Sequence, residues 1–239
     1  MLPLTIVFIC NVNNVMQSKW PRLLLLAASC HIYHSGWAVQ TTNKFWSLIT
    51  LTGNYGTFLY YLEPQLRLIQ TKGVFNQFLN NVGGGYQVAP DWQLWLGQTI
   101  GTTSQDAGPG SFEEYRIWQQ VVWQHSINSV RLTSRTRLEQ RKSLDYSEWA
   151  NRFRERMLVN IPLTPDYSLA MSNEILVNLN RVQWITTKTW DQNRAFVGLV
   201  RQFSKTTFLS AGYMHQWIFT APKQSDNVVV INLQINLET

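Results

Sequence analysis

Cysteine is almost missing: the 239 residues hold two, Cys10 and Cys30, both within the first thirty. If that leading stretch is removed, the remainder has no thiol, no disulfide and no Cys-ligated metal. Histidine is nearly as scarce, with four in all. His31 and His34 fall in the same leader, so His125 and His215 alone could serve imidazole chemistry. Two isolated histidines offer no metal-ligand spacing, and neither a metal nor a cofactor is expected. Charged residues are only 14% of the chain, and the formal charge of +6 is spread along it, which excludes a nucleic-acid-binding stripe. No apolar run approaches the ~20 residues that a spanning helix needs.

What is abundant is apolar and aromatic. Hydrophobic residues make up 45% of the chain and aromatics 13%, eleven of them Trp. With so little charge, that composition points to an apolar surrounding. Nothing in it marks an internal boundary, so one domain is expected.

From Met16 the sequence reads Gln-Ser-Lys-Trp-Pro-Arg, then Leu23 to Leu26, Ala27 and Ala28. A short basic region followed by an apolar run is the layout of a secretory signal peptide. Gly36-Trp37-Ala38 sets small residues where a signal peptidase reads, so residues 1–38 are expected to be removed by a cut after Ala38, with the true start at Met16. Without Lys19 and Arg22 the formal charge falls to +4. Two alternatives stand: Ala27-Ala28-Ser29-Cys30 as a loose lipoprotein box, and the apolar run as an uncleaved anchor.

Over residues 39–239 the apolar side chains recur at every second position, in runs bounded by Gly, Pro, Asn, Asp and Ser. That is strand periodicity. Phe58, Tyr60, Leu62, Leu66 and Leu68 share one face, and Glu63, Gln65 and Arg67 the other. Val130, Leu132 and Leu138 oppose Arg131, Arg135, Arg137, Glu139 and Arg141. Leu169, Met171, Ile175, Val177 and Leu179 oppose Ser172, Glu174 and Asn178, and Val229, Ile231, Leu233, Ile235 and Leu237 oppose Val230, Asn232, Gln234 and Asn236.

A soluble periplasmic β-sandwich also alternates, with its apolar face inward. Three features favour an antiparallel up-and-down transmembrane β-barrel instead. The runs are longer than the ~5–6 residues of globular strands and match the ~9–11 of membrane strands. Arginine populates the polar face in rows that suit a polar lumen. Tyr86, Trp92, Trp123, Tyr167 and Trp217 sit near run ends, as an interfacial girdle requires. Short connections (Ala89-Pro90-Asp91, His125 to Asn128, Pro162 to Asp166, Ser204-Lys205) alternate with longer ones (Thr102 to Ser111, Arg181 to Asp191), the rhythm of periplasmic turns and outer loops.

Eleven runs can be counted, near 44–52, 57–70, 74–88, 91–101, 112–124, 128–142, 150–161, 168–180, 193–203, 206–219 and 227–238. Bacterial single-chain barrels have even strand numbers. The expectation is therefore ten strands, with the first run outside the barrel, or twelve, with one unrecognised.

Several clusters carry a family resemblance: Glu63-Pro64-Gln65-Leu66-Arg67, Gly83-Gly84-Gly85-Tyr86, Glu114-Tyr115-Arg116-Ile117-Trp118-Gln119-Gln120, Arg135 to Arg141, Asn173-Glu174-Ile175, Asp191-Gln192-Asn193-Arg194 with Gly198, and Gly212-Tyr213-Met214. In this order they resemble the bacterial family catalogued as domain of unknown function 2490, over nearly all of the mature chain. The resemblance implies an exported outer-membrane β-barrel with no assigned activity. The ending Leu237-Glu238-Thr239 departs from the terminal aromatic that barrel-assembly machinery reads in many such proteins. A barrel of this kind has that machinery, outer-membrane lipid and lipopolysaccharide as partners.

The charged rows are the candidate site: Glu63, Arg67, Glu114, Arg116, Arg135, Arg137, Glu139, Arg141, Arg152, Arg154, Arg156, Glu174 and Arg194 form an expected lumen charge network. Arg135, Arg137 and Arg141 would neighbour Arg152, Arg154 and Arg156 on the next strand. Six guanidiniums repel unless paired, and Glu63, Glu114, Glu139 and Glu174 are the expected partners. Three readings follow: a balanced network that rigidifies a narrow barrel, a pore wall that attracts small anionic solutes, and a phosphate-binding rim for lipid or lipopolysaccharide. An outer-membrane lipase or deacylase is the enzyme alternative, with His215 as its catalytic candidate, since His215 lies in the outer half of its strand. His125 sits at the opposite, periplasmic turn. Gly83-Gly84-Gly85 lacks the Lys-Ser/Thr of a phosphate loop and reads as close packing within a strand.

Overall fold

The computed structural model describes residues 40–69, 74–104 and 111–237. The expected signal peptide, the cut after Ala38, the lipoprotein box and the last two residues lie outside them. The described residues form eleven strands: β1 (Gln40–Tyr55), β2 (Phe58–Ile69), β3 (Val74–Ala89), β4 (Trp92–Ser104), β5 (Ser111–Ile127), β6 (Val130–Ser143), β7 (Trp149–Pro162), β8 (Tyr167–Asn178), β9 (Trp190–Gln202), β10 (Thr207–Ile218) and β11 (Gln224–Leu237). Each pairs with its sequence neighbours and β1 pairs with β11, so the sheet closes on itself.

The ten consecutive pairings are antiparallel, whereas β1 and β11 run parallel, from Gln40 beside Gln224 to Gly53 beside Leu237. This corrects the expectation of ten or twelve strands. The first run is inside the barrel, and the parallel seam allows an odd number to close without leaving an edge. It also sets the start of β1 and the end of β11 at opposite rims.

Period two sorts the side chains as the sequence implied, with the apolar set outward. Leu62, Leu66, Leu94, Leu96, Leu138, Met171, Ile175, Val197, Leu199 and Val229 are exposed on the outer wall. A soluble sandwich would bury them, so that alternative falls. Inside, Glu114, Arg116, Arg137, Glu139, Arg141, Arg152 and Glu174 are buried. The polarity of a water-soluble domain is turned inside out.

The short connections gather at one rim. Gly56 and Asn128 take positive φ (59° and 54°) in the β1–β2 and β5–β6 turns, the left-handed conformation that Gly and Asn tolerate best. At the other rim the longer β8–β9 connection folds back to the lumen mouth, where Trp184 packs against Phe112 with ring centroids 5.9 Å apart. Tyr86, Trp92 and Tyr167 are exposed near the short-turn rim, and Trp217 lies near the opposite rim, packed edge-on against His215 at 4.3 Å.

Candidate functional site

One cavity of about 1100 Å³ runs through the barrel, lined by Lys44 and Phe112 towards the long-connection rim and by Gln202 and Asn236 towards the other. Its walls are the inward faces of all eleven strands. The charge is concentrated in the half nearer the long connections, on β5 to β9.

Three carboxylates organise it. Glu114 on β5 accepts N–H groups from Arg116 at 3.0 and 2.8 Å and also receives Arg141 of β6. Glu139 on β6 takes two donors from Arg152 at 2.9 and 2.5 Å and one from Arg154 at 2.6 Å. Glu174 on β8 takes Arg135 at 2.5 Å, Arg154 at 3.0 and 2.6 Å, and Arg194 at 3.3 Å. Arg154 thus bridges Glu139 and Glu174, and Arg152 extends the chain to Asp191 at 2.9 Å. Buried charge is tolerated only when paired and hydrogen-bonded, and charge-assisted contacts of this kind are the strong ones.

Aromatic rings complete the wall. Trp118 donates its indole N–H to Thr99 at 3.1 Å, and the Arg137 guanidinium lies 4.1 Å above its ring. Arg67 and Arg194 lie 3.7 and 5.3 Å from the Trp46 ring, and Arg141 sits 5.2 Å from Trp184 of the β8–β9 connection. Rings are good faces for guanidinium groups. Gly83 and Gly97 make room for Trp118: a Cβ on either would come within 2.5 Å of it. Gly83 of β3 is therefore a packing device, as is Gly85, where a Cβ would meet Trp95.

Twelve of the thirteen expected network residues line this cavity, and the thirteenth, Glu139, is buried beside it. Glu63 was expected to pair with arginine, but its hydrogen bonds run elsewhere. Glu63 accepts from Thr50 at 3.0 Å and Asn81 at 3.3 Å, and from Gln65. It stands on β2, in register with Asn81 of β3, across the lumen from the arginine rows of β6 and β7.

Sequence reasoning missed three network members. Lys44 of β1 bonds Asp226 of β11 at 2.7 Å across the parallel seam, a pairing invisible until the barrel is closed. Asp191 was hidden by a register shift where Leu176 meets Gln192 but Val177 meets Trp190. That bulge breaks the alternation and turns Asp191 inward.

A carboxylate far from either rim faces the other way. Glu155, in the middle of β7, shares the outer face with exposed Met157 and accepts hydrogen bonds from Ser134 at 2.7 Å and Thr136 at 2.5 Å of β6.

Neither histidine enters the lumen. His125 is exposed at the short-turn rim, 2.8 Å from Asp91 and stacked on Trp123. His215 is on the outer wall, its Nδ1 3.2 Å from the Tyr213 hydroxyl and 3.1 Å from Asn227 Oδ1. Among the described residues no serine or carboxylate bonds His215, and no cluster of three metal-ligating side chains occurs.

Three comparisons bear on this geometry. Residues 43–227 match the family model described as Protein of unknown function (DUF2490). An uncharacterized protein of Methylorubrum extorquens strain AM1 is 28% identical over 222 residues, covering 88% of this chain and 96% of that one. A solved structure of the NanC porin aligns with a TM-score of 0.48 at 12% identity, over 73% of this chain and 85% of the other.

Proposed function

Because the chain belongs to the DUF2490 family, whose description carries no activity, we propose a function from the lumen itself: a passive outer-membrane channel that prefers anionic solutes. The apolar outer wall supports the membrane placement, since strands of 12 to 17 residues exceed the ~9–11 that cross a bilayer. The long connections then face outward and the short turns face the periplasm.

The observation that carries the solute preference is an excess of positive charge. Eleven basic side chains line the cavity against three carboxylates, Glu63, Glu114 and Glu174. Glu139, Asp191 and Asp226, buried around it, raise the acidic count to six at most. A cationic wall attracts anions and excludes cations.

Planar-bilayer recording across a KCl gradient tests this. The expected reversal potential lies on the chloride side, and Arg135→Ala with Arg137→Ala moves it towards zero. A barrel without conductance, or one that prefers potassium, overturns the reading and leaves the network as a rigid filling.

A further inference from the structure

Arg135 and Arg156 stand directly opposite one another on β6 and β7. Both line the cavity. Like charges at paired positions destabilise a sheet unless something lies between or beside them. The natural partner is Glu174, which is in register with Arg156 on the other side. Yet Glu174 is already taken by Arg135, Arg154 and Arg194.

Arg156 therefore forms no ion pair and no hydrogen bond among the described residues, and its buried Nε, like that of Arg135, meets no acceptor. Every other cation on these two strands within the charged half of the lumen has a carboxylate or amide partner. Arg156 is half-buried: its Nε is covered, but its unpaired terminal nitrogens stay open to the lumen. An unpaired guanidinium beside a second one is expected where an anion joins them. Towards the short-turn rim the wall changes character to Thr133, Leu158 and Ser172.

We propose that Arg156 and Arg135 form a binding site for one compact oxyanion, a phosphate or carboxylate group, on the wall of the lumen. Two adjacent planar forks, one of them with both terminal nitrogens unused, fit an anion with two or more oxygens better than a halide. The site deepens the channel reading above and rests on it for the path by which the anion arrives.

Isothermal titration of the purified full-length barrel in detergent, with inorganic phosphate, acetate and chloride as separate probes, tests the site without requiring conductance. Expected is saturable binding of one phosphate or acetate per chain, with chloride far weaker. Which of the two oxyanions binds more tightly identifies the source. Arg156→Gln should weaken binding at least tenfold, a change of about 1.4 kcal/mol, Arg156→Lys should fall between, and Lys205→Gln, in the short β9–β10 turn, should match the wild type. Folding of each variant is checked by heat-dependent gel migration. No saturable oxyanion binding by the wild type up to about 10 mM, or equal binding by folded Arg156→Lys and wild type, overturns the proposal. Binding without bilayer conductance would leave the site standing and remove the channel. Anion-selective conductance without oxyanion binding would do the reverse.

Discussion

The indole of Trp118 on β5 occupies the space that a side chain on Gly97 of β4 would fill: a Cβ built there lies 2.1 Å from the ring. The two residues are direct cross-strand partners. Gly97→Ala must push the ring away from Thr99 and from beneath Arg137, so overpacking by one methyl should cost about 1–3 kcal/mol. Gly84→Ala is the matched control, because a Cβ there meets nothing within 4 Å, and its effect should stay within about 0.5 kcal/mol. Urea unfolding in lipid vesicles, followed by Trp fluorescence, measures both. Equal midpoints for the two variants would contradict the packing role.

Glu174 holds three guanidiniums with one carboxylate. Glu174→Gln keeps the shape and removes the charge, leaving Arg135 and Arg194 without an anionic partner and Arg154 with Glu139 alone. Breaking a buried ion pair from one side costs about 3–5 kcal/mol. The same change makes the lumen more cationic, so the reversal potential should move further to the anion side while the unfolding midpoint falls. A variant as stable as the wild type would mean that the network carries no folding energy.

Glu155 presents the opposite case, a carboxylate on the outer face held by two hydroxyls. Charge near the middle of a bilayer is unfavourable, less so for Glu than for Arg or Lys. Glu155→Leu should therefore stabilise the vesicle-inserted barrel by about 1 kcal/mol. A lower unfolding midpoint would show instead that the hydroxyl–carboxylate cluster supports β6–β7 pairing.

Among the described residues, the hydrogen-bond and ring partners of the His215 side chain are Tyr213, Trp217 and Asn227. Removing it should leave phospholipid turnover unchanged, because an acyl-transfer site needs a nucleophile in hydrogen-bond reach of its base. Turnover lost in His215→Ala, measured with labelled phospholipid, would restore the enzyme alternative.

How much of this was legible beforehand depends on how local the signal is. Period two placed Leu62 and Leu66 outside and Arg137, Glu139 and Arg141 inside, because the pleat alone decides which face a residue takes. The eleven runs match the eleven strands for the same reason. Closure is a property of residues nearly two hundred positions apart, and nothing near Gln40 or Gln224 announces a parallel seam. Pairing was legible only where neighbours in sequence are neighbours in space: Arg152 found Glu139 across one hairpin, whereas Glu63 was assigned arginines that lie across the lumen. The bulge at Asp191 and the outward Glu155 were illegible for a further reason. Polarity suggests a direction, but backbone register sets it, and these two residues are where polarity and alternation disagree.

The seam itself is testable through Lys44 and Asp226. They bond at 2.7 Å between β1 and β11, and Asp226 has no exposed side-chain surface. Lys44→Met strands a buried carboxylate whose remaining partner is Gln224, at 2.9 Å, and should cost about 3–5 kcal/mol. Asp226→Asn alone leaves the ammonium, which at 15% exposure still reaches water, and should cost less. The double variant removes both charges, so it should be more stable than Lys44→Met alone, with a coupling of roughly 1–3 kcal/mol between neighbours in one contact. Parallel closure requires that coupling. Additive single effects in a double-mutant cycle, read from unfolding midpoints in vesicles, would separate β1 from β11 and reopen the odd strand count.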